Sequence, residues 1–591
     1  MSRWSGEWSK PVEWGMTALL FIVSVLLGTL GNAIARPDVA PERTVVLTGT
    51  AFLVAGVALM ILWLVARGRP LRSDIVSFGV FVTALVLLVA TFFAAELRSI
   101  LFRADILIWS ESPFVTDIIK FRSGGTLYEA PPNLSSFNYT PGASFLTWLM
   151  AASVGAGDSI AAYRVVQVLY VVAAALLGVR AIGLLRSLHD GQRQTLPWTL
   201  AWFPLLFLAG TNTLTNPFNH LLHNDALGLL VCAAGFLLIV EYATRPRPAL
   251  LVAMVLLPGA GFLVKQSLGI WCVIFGAWLL ISEKPMRLWR AVAVGGGGLV
   301  VVLMLYGGGL WLWGEDFRYW VIEGLGKHAV SPLRSIEHAL QGWTFWAVGL
   351  AGGMVLVRGP RAPVLLTTWL VWAFLFAVET YTSGIAWMLN HMGPGSFLAV
   401  LWGAAALPSL WHLTRPDTEG AAWQWLRAGL VTALCLFSLS GLRSVRIPMP
   451  GLSFDADRYV SAIEREFEGL PPAAVLLDHG SWLYMAGGVV QLDRGAPAGE
   501  AGWTQTANFD DLFGRLRSHH YQRILVRDLH SPNFMYDYGL WERPSGVRDS
   551  LLYYYREVRQ IPAVQGANGP WLQLVSVLEP RLAGDSASGP R

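Results

Sequence analysis

Apolar residues in this chain fall in long runs separated by short polar stretches rich in arginine. A membrane-crossing helix needs about 20 mostly apolar residues. Runs near that length lie at 15–34, 45–65, 75–95, 165–185, 196–210, 226–240, 249–264, 268–281, 291–313, 345–357, 364–378, 396–413 and 426–442. They predict about 13 spanning helices. One further apolar piece, 142–154, is too short to span. With the amino terminus cytoplasmic, the short cytoplasmic loops hold Arg67, Arg69 and Arg72, Arg186 and Arg193, Arg245 and Arg247, Lys284, Arg287 and Arg290, Arg358 and Arg361, and Arg415 and Arg427. That asymmetry satisfies the positive-inside rule. Counting 142–154 as a span would invert every later cluster, so it reads as a re-entrant or interfacial helix on the outer side.

The outer side then receives the unusual polar material: a long loop at 96–142, then 211–225, a tight turn at 265–267, 314–342 and 381–395. The tail from Arg443 onward holds 15 Arg and 17 Asp plus Glu, a near-neutral balance suited to water. Residues 459–467 and 509–519 have helical spacing, whereas 474–477, 523–526 and 571–577 are short runs of strand type. Alternating strands and helices suggest a small α/β unit. The expected organisation is a membrane domain at 1–442, a soluble extracytoplasmic α/β domain at 443–583 and a disordered tail at 584–591. The first apolar run is followed by no small-residue cleavage site and reads as a retained helix.

Composition agrees. Hydrophobic residues make up 54% of the chain and charged residues 14%, with a mean hydropathy of +0.49. Those values exclude a single soluble enzyme. A net charge of +4 over 591 residues is no footprint for nucleic acid. The three cysteines sit in apolar runs and leave the redox compartment open. The expected location is the inner or plasma membrane, crossed many times.

Within the first outer loop, Asp105 and Glu111 flank a tryptophan, and Glu111 stands at the start of a helical stretch, where the dipole favours a carboxylate. Asp117, Lys120, Gly124, Tyr128 and then Tyr139-Thr-Pro141 follow. An amphipathic surface helix is the competing reading. Asp225 opens a span in His223-Asn-Asp225, either as a helix cap or as a working carboxylate. With His220 and His223 it also forms a weak metal-ligand pattern. Lys265 is one of five lysines and lies between two apolar runs. An ionisable residue there marks a functional site, with snorkelling to the interface as its alternative. Gln266 adjoins it. Arg318 lies among aromatics, suited to phosphate or to stacking on a sugar. Asn390 and His391 sit at a sharp turn above a span.

The order Glu111, Phe114, Gly124, Tyr128, Tyr139 and Pro141 resembles the first outer loop of the GT-C glycosyltransferases, membrane enzymes that use polyprenyl-phosphate sugars. Protein mannosyltransferases and lipid A aminoarabinose transferases are examples. Asp225 and Lys265 add to the resemblance, while Ser110 stands where the common pattern has an acid. The resemblance implies a GT-C-like helical membrane fold and inverting transfer of a sugar from a polyprenyl-phosphate donor to an acceptor hydroxyl on a glycan, lipid or protein. Asp105 or Glu111 would be the base, with Asp225 orienting the acceptor or sharing that task. Lys265, Arg318 and His391 would meet the donor phosphate, and Tyr139, His223, Gln266 and Asn390 would hold substrate. No cofactor is required, and a divalent metal is left open. The alternatives are a transporter or flippase for lipid-linked saccharide and a non-catalytic polysaccharide-assembly protein.

Overall fold

The computed structural model describes residues 85–413 and 454–582 apart from internal stretches, the longest being 192–198, 486–509, 531–545 and 565–572. The expected spans at 15–34, 45–65 and 426–442 lie outside the described residues, as do the tail at 584–591 and most of 75–95.

After helical residues within 85–101, the described helices are α1 (Glu111–Ser123), α2 (Gly142–Ser153), α3 (Ile160–Asp190), α4 (Phe203–Gly210), α5 (Asp225–Thr244), α6 (Pro248–Val264), α7 (Trp271–Ser282), α8 (Leu288–Arg318), α9 (Pro332–Gln341), α10 (Trp343–Leu356), α11 (Ala362–Thr382) and α12 (Gly393–Leu413). Among the described residues, four helices are long and apolar enough to cross a membrane, or five if the bent pair α9–α10 is one span. The runs at 196–210, 249–264 and 268–281 form shorter helices, and the described residues do not establish the expected count of 13. At 1.5 Å per residue, the 12 residues of α2 reach about 18 Å, too short for a 30 Å hydrocarbon layer.

Some boundaries have a clear local cause. Ser159 caps α3 by accepting from Ala162 N at 3.2 Å, and Gly191 ends it in the left-handed region. Pro332 sits in the first turn of α9, where a missing N–H costs nothing, and Ser331 caps that turn. Beyond Arg245 and Arg247 the chain reverses, so α5 and α6 run antiparallel. The start of α5 and the end of α6 therefore share one end of the bundle.

The core is a set of closely packed helices: α3 against α5, α10 against α12, and α7 against α8. Trp271, Trp278, Trp372 and Trp402 are fully buried within it. A Cβ at Gly352 would strike the Trp402 backbone, so a small residue sets that approach, as in other membrane helix pairs. By contrast α8 exposes Leu299, Val300, Leu303, Met304 and Trp311, a surface suited to lipid. Its straight course ends at Gly314, with φ +64°.

Toward the carboxyl end come α13 (Phe454–Arg465), β1 (Val475–Leu477), α14 (Asp510–Arg517), β2 (Arg523–Arg527), α15 (Val547–Tyr554), β3 (Tyr555–Ile561) and β4 (Val575–Pro580). The sheet order is β1-β2-β4-β3. β1 and β2 are parallel, joined by a connection that contains α14, and the other pairs are antiparallel. Among the described residues, the apolar side chains of this sheet join clusters that extend into the first loop. Val475, Leu477 and Val577 cluster with Phe114, Val115 and Ile118 of α1. Leu476, Ile524 and Tyr555 cluster with Leu127, Tyr128 and Trp320.

Candidate active site at one end of the bundle

The Asp225 carboxylate stands in the first turn of α5, preceded by Asn224 at the cap position with no side-chain cap bond. Lys265 ends α6 with an extended backbone, φ −156° and ψ 121°, before a short 3-10 turn, Gln266–Ile270. The break frees the lysine from the helical ladder and turns it toward the start of α5. Lys265 Nζ donates to Asp225 Oδ1 at 3.0 Å. Asn390 Nδ2 donates to Asp225 Oδ2 at 2.5 Å, and His223 Nδ1 lies 3.2 Å from the same oxygen. The ammonium also lies 5.6 Å from the centre of the Tyr139 ring, within range of a cation–π attraction. Both charged side chains are largely buried, at 16% and 9% exposure.

Aromatic rings hold this group. Tyr139 stacks on Phe114 at 6.0 Å, and the His223 ring meets Phe114 at 5.1 Å and Phe218 at 4.8 Å. Gln266 Nε2 donates to Asn138 O at 2.8 Å and to Val321 O at 2.9 Å. It thereby ties the Lys265 break to the first loop and to the turn after α8. Thr140 Oγ1 donates to Phe262 O at 2.6 Å. A Cβ at Gly142 would lie 2.5 Å from Leu263 O, so loop and helix meet backbone to backbone.

The structure thus brings together Tyr139, His223, Asp225, Lys265, Gln266 and Asn390. His391 lies beside them, half-buried, and its charge interactions run to Lys265, Asp225 and His223. Burial first, and the Lys265 charge second, hold its imidazole down to about 3, so it is neutral at physiological pH. Arg318 is half exposed and pairs with Glu315 and Glu323.

Glu111 is fully buried and faces Arg164 of α3, whose guanidinium donates to both carboxylate oxygens at 2.7 and 2.6 Å. Glu111 Oε1 also accepts from Leu222 N at 2.9 Å, one residue before His223. Asp105 accepts from Ser481 N at 2.8 Å and Trp482 N at 3.2 Å. Burial raises its carboxyl to about 7, with the nearby Glu111 charge adding to the rise and the backbone donors opposing it. His220 lies 3.3 Å from Glu96. Among the described residues, no three His, Cys, Asp or Glu side chains gather as a metal set.

Two participants carried no weight in the sequence reading. Glu379, near the end of α11, accepts from Gly395 N at 2.7 Å and is close enough for its charge to act on Lys265 and Asp225. Arg164 lies one turn into α3. In both cases an ionisable residue at the end of an apolar run was the available signal.

No family model matches the sequence, and no curated protein matches it. Among solved structures, ArnT from Cupriavidus metallidurans bound to undecaprenyl phosphate aligns with a TM-score of 0.52 and 14% identity, covering 86% of this chain and 99% of that one. Its apo state gives 0.50 and 13% over the same shares. The Archaeoglobus fulgidus oligosaccharyltransferase in its apo form aligns at 0.46 and 10%, covering 80% of this chain and 73% of that one. ArnT, an aminoarabinose transferase, is a GT-C superfamily member, and at these identities the likeness is one of fold. The chain shares its overall fold with these ArnT structures.

Proposed function

We propose that the protein is a membrane glycosyltransferase that moves a sugar from a polyprenyl-phosphate carrier to an acceptor hydroxyl at the outer face of the membrane, with inversion. The observation that carries this reading is the meeting of Asp225 and Lys265, with Asn390, His223 and Tyr139 around them, on a fold shared with a transferase whose structure holds undecaprenyl phosphate. The reaction needs a base for the attacking oxygen and a cation for the leaving phosphate.

In this reading Lys265 is the hinge of the chemistry. As the bond between the sugar and the phosphate oxygen breaks, charge grows on polyprenyl phosphate and draws the ammonium away from Asp225. Asp225 Oδ1 then takes the proton of the acceptor hydroxyl while the acceptor oxygen bonds to the sugar. Asn390 holds the other carboxylate oxygen in place. His391, neutral, offers a hydrogen bond without adding charge. Arg318 is a second cation that an arriving phosphate would have to draw from its two glutamates. Tyr139, His223 and Gln266 frame the substrate. The oxygens of Glu111 and Asp105 are already committed to donors, and we assign both to holding the loop rather than to proton transfer. No divalent metal enters the scheme.

The test is release of polyprenyl phosphate by purified protein supplied with polyprenyl-phosphate sugars. Asp225→Asn and Lys265→Met should each lower release by about a hundredfold or more in protein that is still folded. Undiminished turnover in Asp225→Asn would rule out its role as base.

A further inference from the structure

One serine from the carboxyl-terminal part of the chain makes an unusual number of bonds to the first loop. Ser481 N donates to Asp105 Oδ2 at 2.8 Å. Ser481 Oγ lies 3.0 Å from Ser112 Oγ and 2.7 Å from Thr116 Oγ1, and it donates to Ser112 O at 3.3 Å. Trp482 N completes the set on Asp105 Oδ1 at 3.2 Å. All these polar groups except that of Trp482 are fully buried or nearly so. The chain reaches this position through Gly480, whose φ of +109° a residue with a side chain rarely adopts. A Cβ there would also crowd Trp482 and Ile106.

The partners of Ser481 bracket Glu111. Asp105 precedes it, and Ser112 and Thr116 follow it on α1. The cap residue of α1, Ser110, supplies no side-chain cap bond, so the first turn of that helix is held from outside. From α1 the contacts continue inward. Glu111 takes the Leu222 N–H, and Phe114 packs on Tyr139 and His223. Those two rings border Asp225 and Lys265.

We propose that Ser481 is a positioning residue through which the carboxyl-terminal α/β unit sets the first-loop helix against the Asp225–Lys265 pair. This deepens the transferase reading by giving the unit a role in that same site, where it acts on geometry and touches no substrate. A side chain displaced by about 1 Å far from the chemistry can cost up to a hundredfold in rate. The donor phosphate would still meet Lys265, so the loss belongs in kcat rather than KM.

The experiment compares full-length wild type, Ser481→Ala, Ser481→Thr and Thr116→Val by amide hydrogen exchange and by steady-state turnover with a polyprenyl-phosphate sugar. In Ser481→Ala, exchange should rise in 105–123 and stay unchanged in 225–244 and 393–413. Its kcat should fall on the order of tenfold to a hundredfold, with KM for the donor within about twofold. Ser481→Thr keeps the hydroxyl and should restore most of the loss, and Thr116→Val should reproduce part of it. Unchanged exchange in 105–123, a rise throughout the chain, or a loss carried by KM alone would each overturn the proposal. Should wild type itself show no turnover, the transferase reading fails, and the exchange pattern alone decides whether the clasp exists.

Discussion

At the arginine-rich end of the bundle, Arg180 meets Glu241 at 2.8 Å, and Arg290 meets Glu283 at 2.9 Å with Tyr242 beside them. Arg186 pairs with Asp190 one turn away. Arg186 is buried, but the other groups are partly exposed, and pairs of that kind contribute about 0–1 kcal/mol. At the opposite end, Lys265 and Asp225 are enclosed by rings, and Arg164 and Glu111 have no exposure at all. There the desolvation cost competes with the attraction. Gln266 Oε1 and the Asn224 side chain are buried without a hydrogen-bond partner among the described residues. One end arranges charge for water and a membrane surface. The other keeps charge where it costs stability, as the proposed active site would.

The contrast can be broken most severely at Asp225. Asp225→Asn should lower turnover by about 10²–10⁴-fold, the usual scale for losing a general base. Next comes Arg164. Arg164→Met leaves Glu111 buried without its partner and also strips donors from the carbonyls of Ser99, Phe102 and Ala104. Breaking a buried pair in this way costs about 3–5 kcal/mol, readable as a lower melting temperature in detergent.

A smaller effect concerns pH. Asp105 titrates near 7 when folded and near 4 when unfolded. The folded chain therefore holds the proton more tightly, and rising pH through about 4 to 7 withdraws stability until the group is ionised. Asp105→Asn cannot ionise. The melting temperature of wild type should therefore fall relative to that variant across this window and run parallel to it above. Least affected should be Glu241→Ala, at the other end, with a stability change under about 1 kcal/mol and turnover unaltered.

Much of this architecture is written in local pattern. The apolar runs at 165–185, 226–240 and 364–378 became α3, α5 and α11, because burial of a spanning helix leaves a continuous signal. Lys265 stood out for the same reason, as a charge breaking such a run. The strands at 475–477 and 523–527 were also legible from short apolar stretches. What local pattern does not carry is partnership across the chain. Nothing around Ser481 marks it as a neighbour of Ser112, and nothing around Glu111 points to Arg164. The sequence likewise suggested a soluble α/β domain at 443–583. Among the described residues, apolar side chains of that region cluster with those of the loop at 96–142. Spacing cannot reveal a core shared between segments over 300 residues apart.

At Gly142 a hydrogen atom is all that separates the second loop helix from the Leu263 carbonyl. The distance between the loop and the lysine-bearing break is therefore fixed by the smallest side group available. A single methyl at this position would act as a wedge, prising Tyr139 off the ammonium without altering any charge. The geometry around Lys265 thus depends on an uncharged hydrogen of Gly142, where no titration or ion-pair survey would look for it.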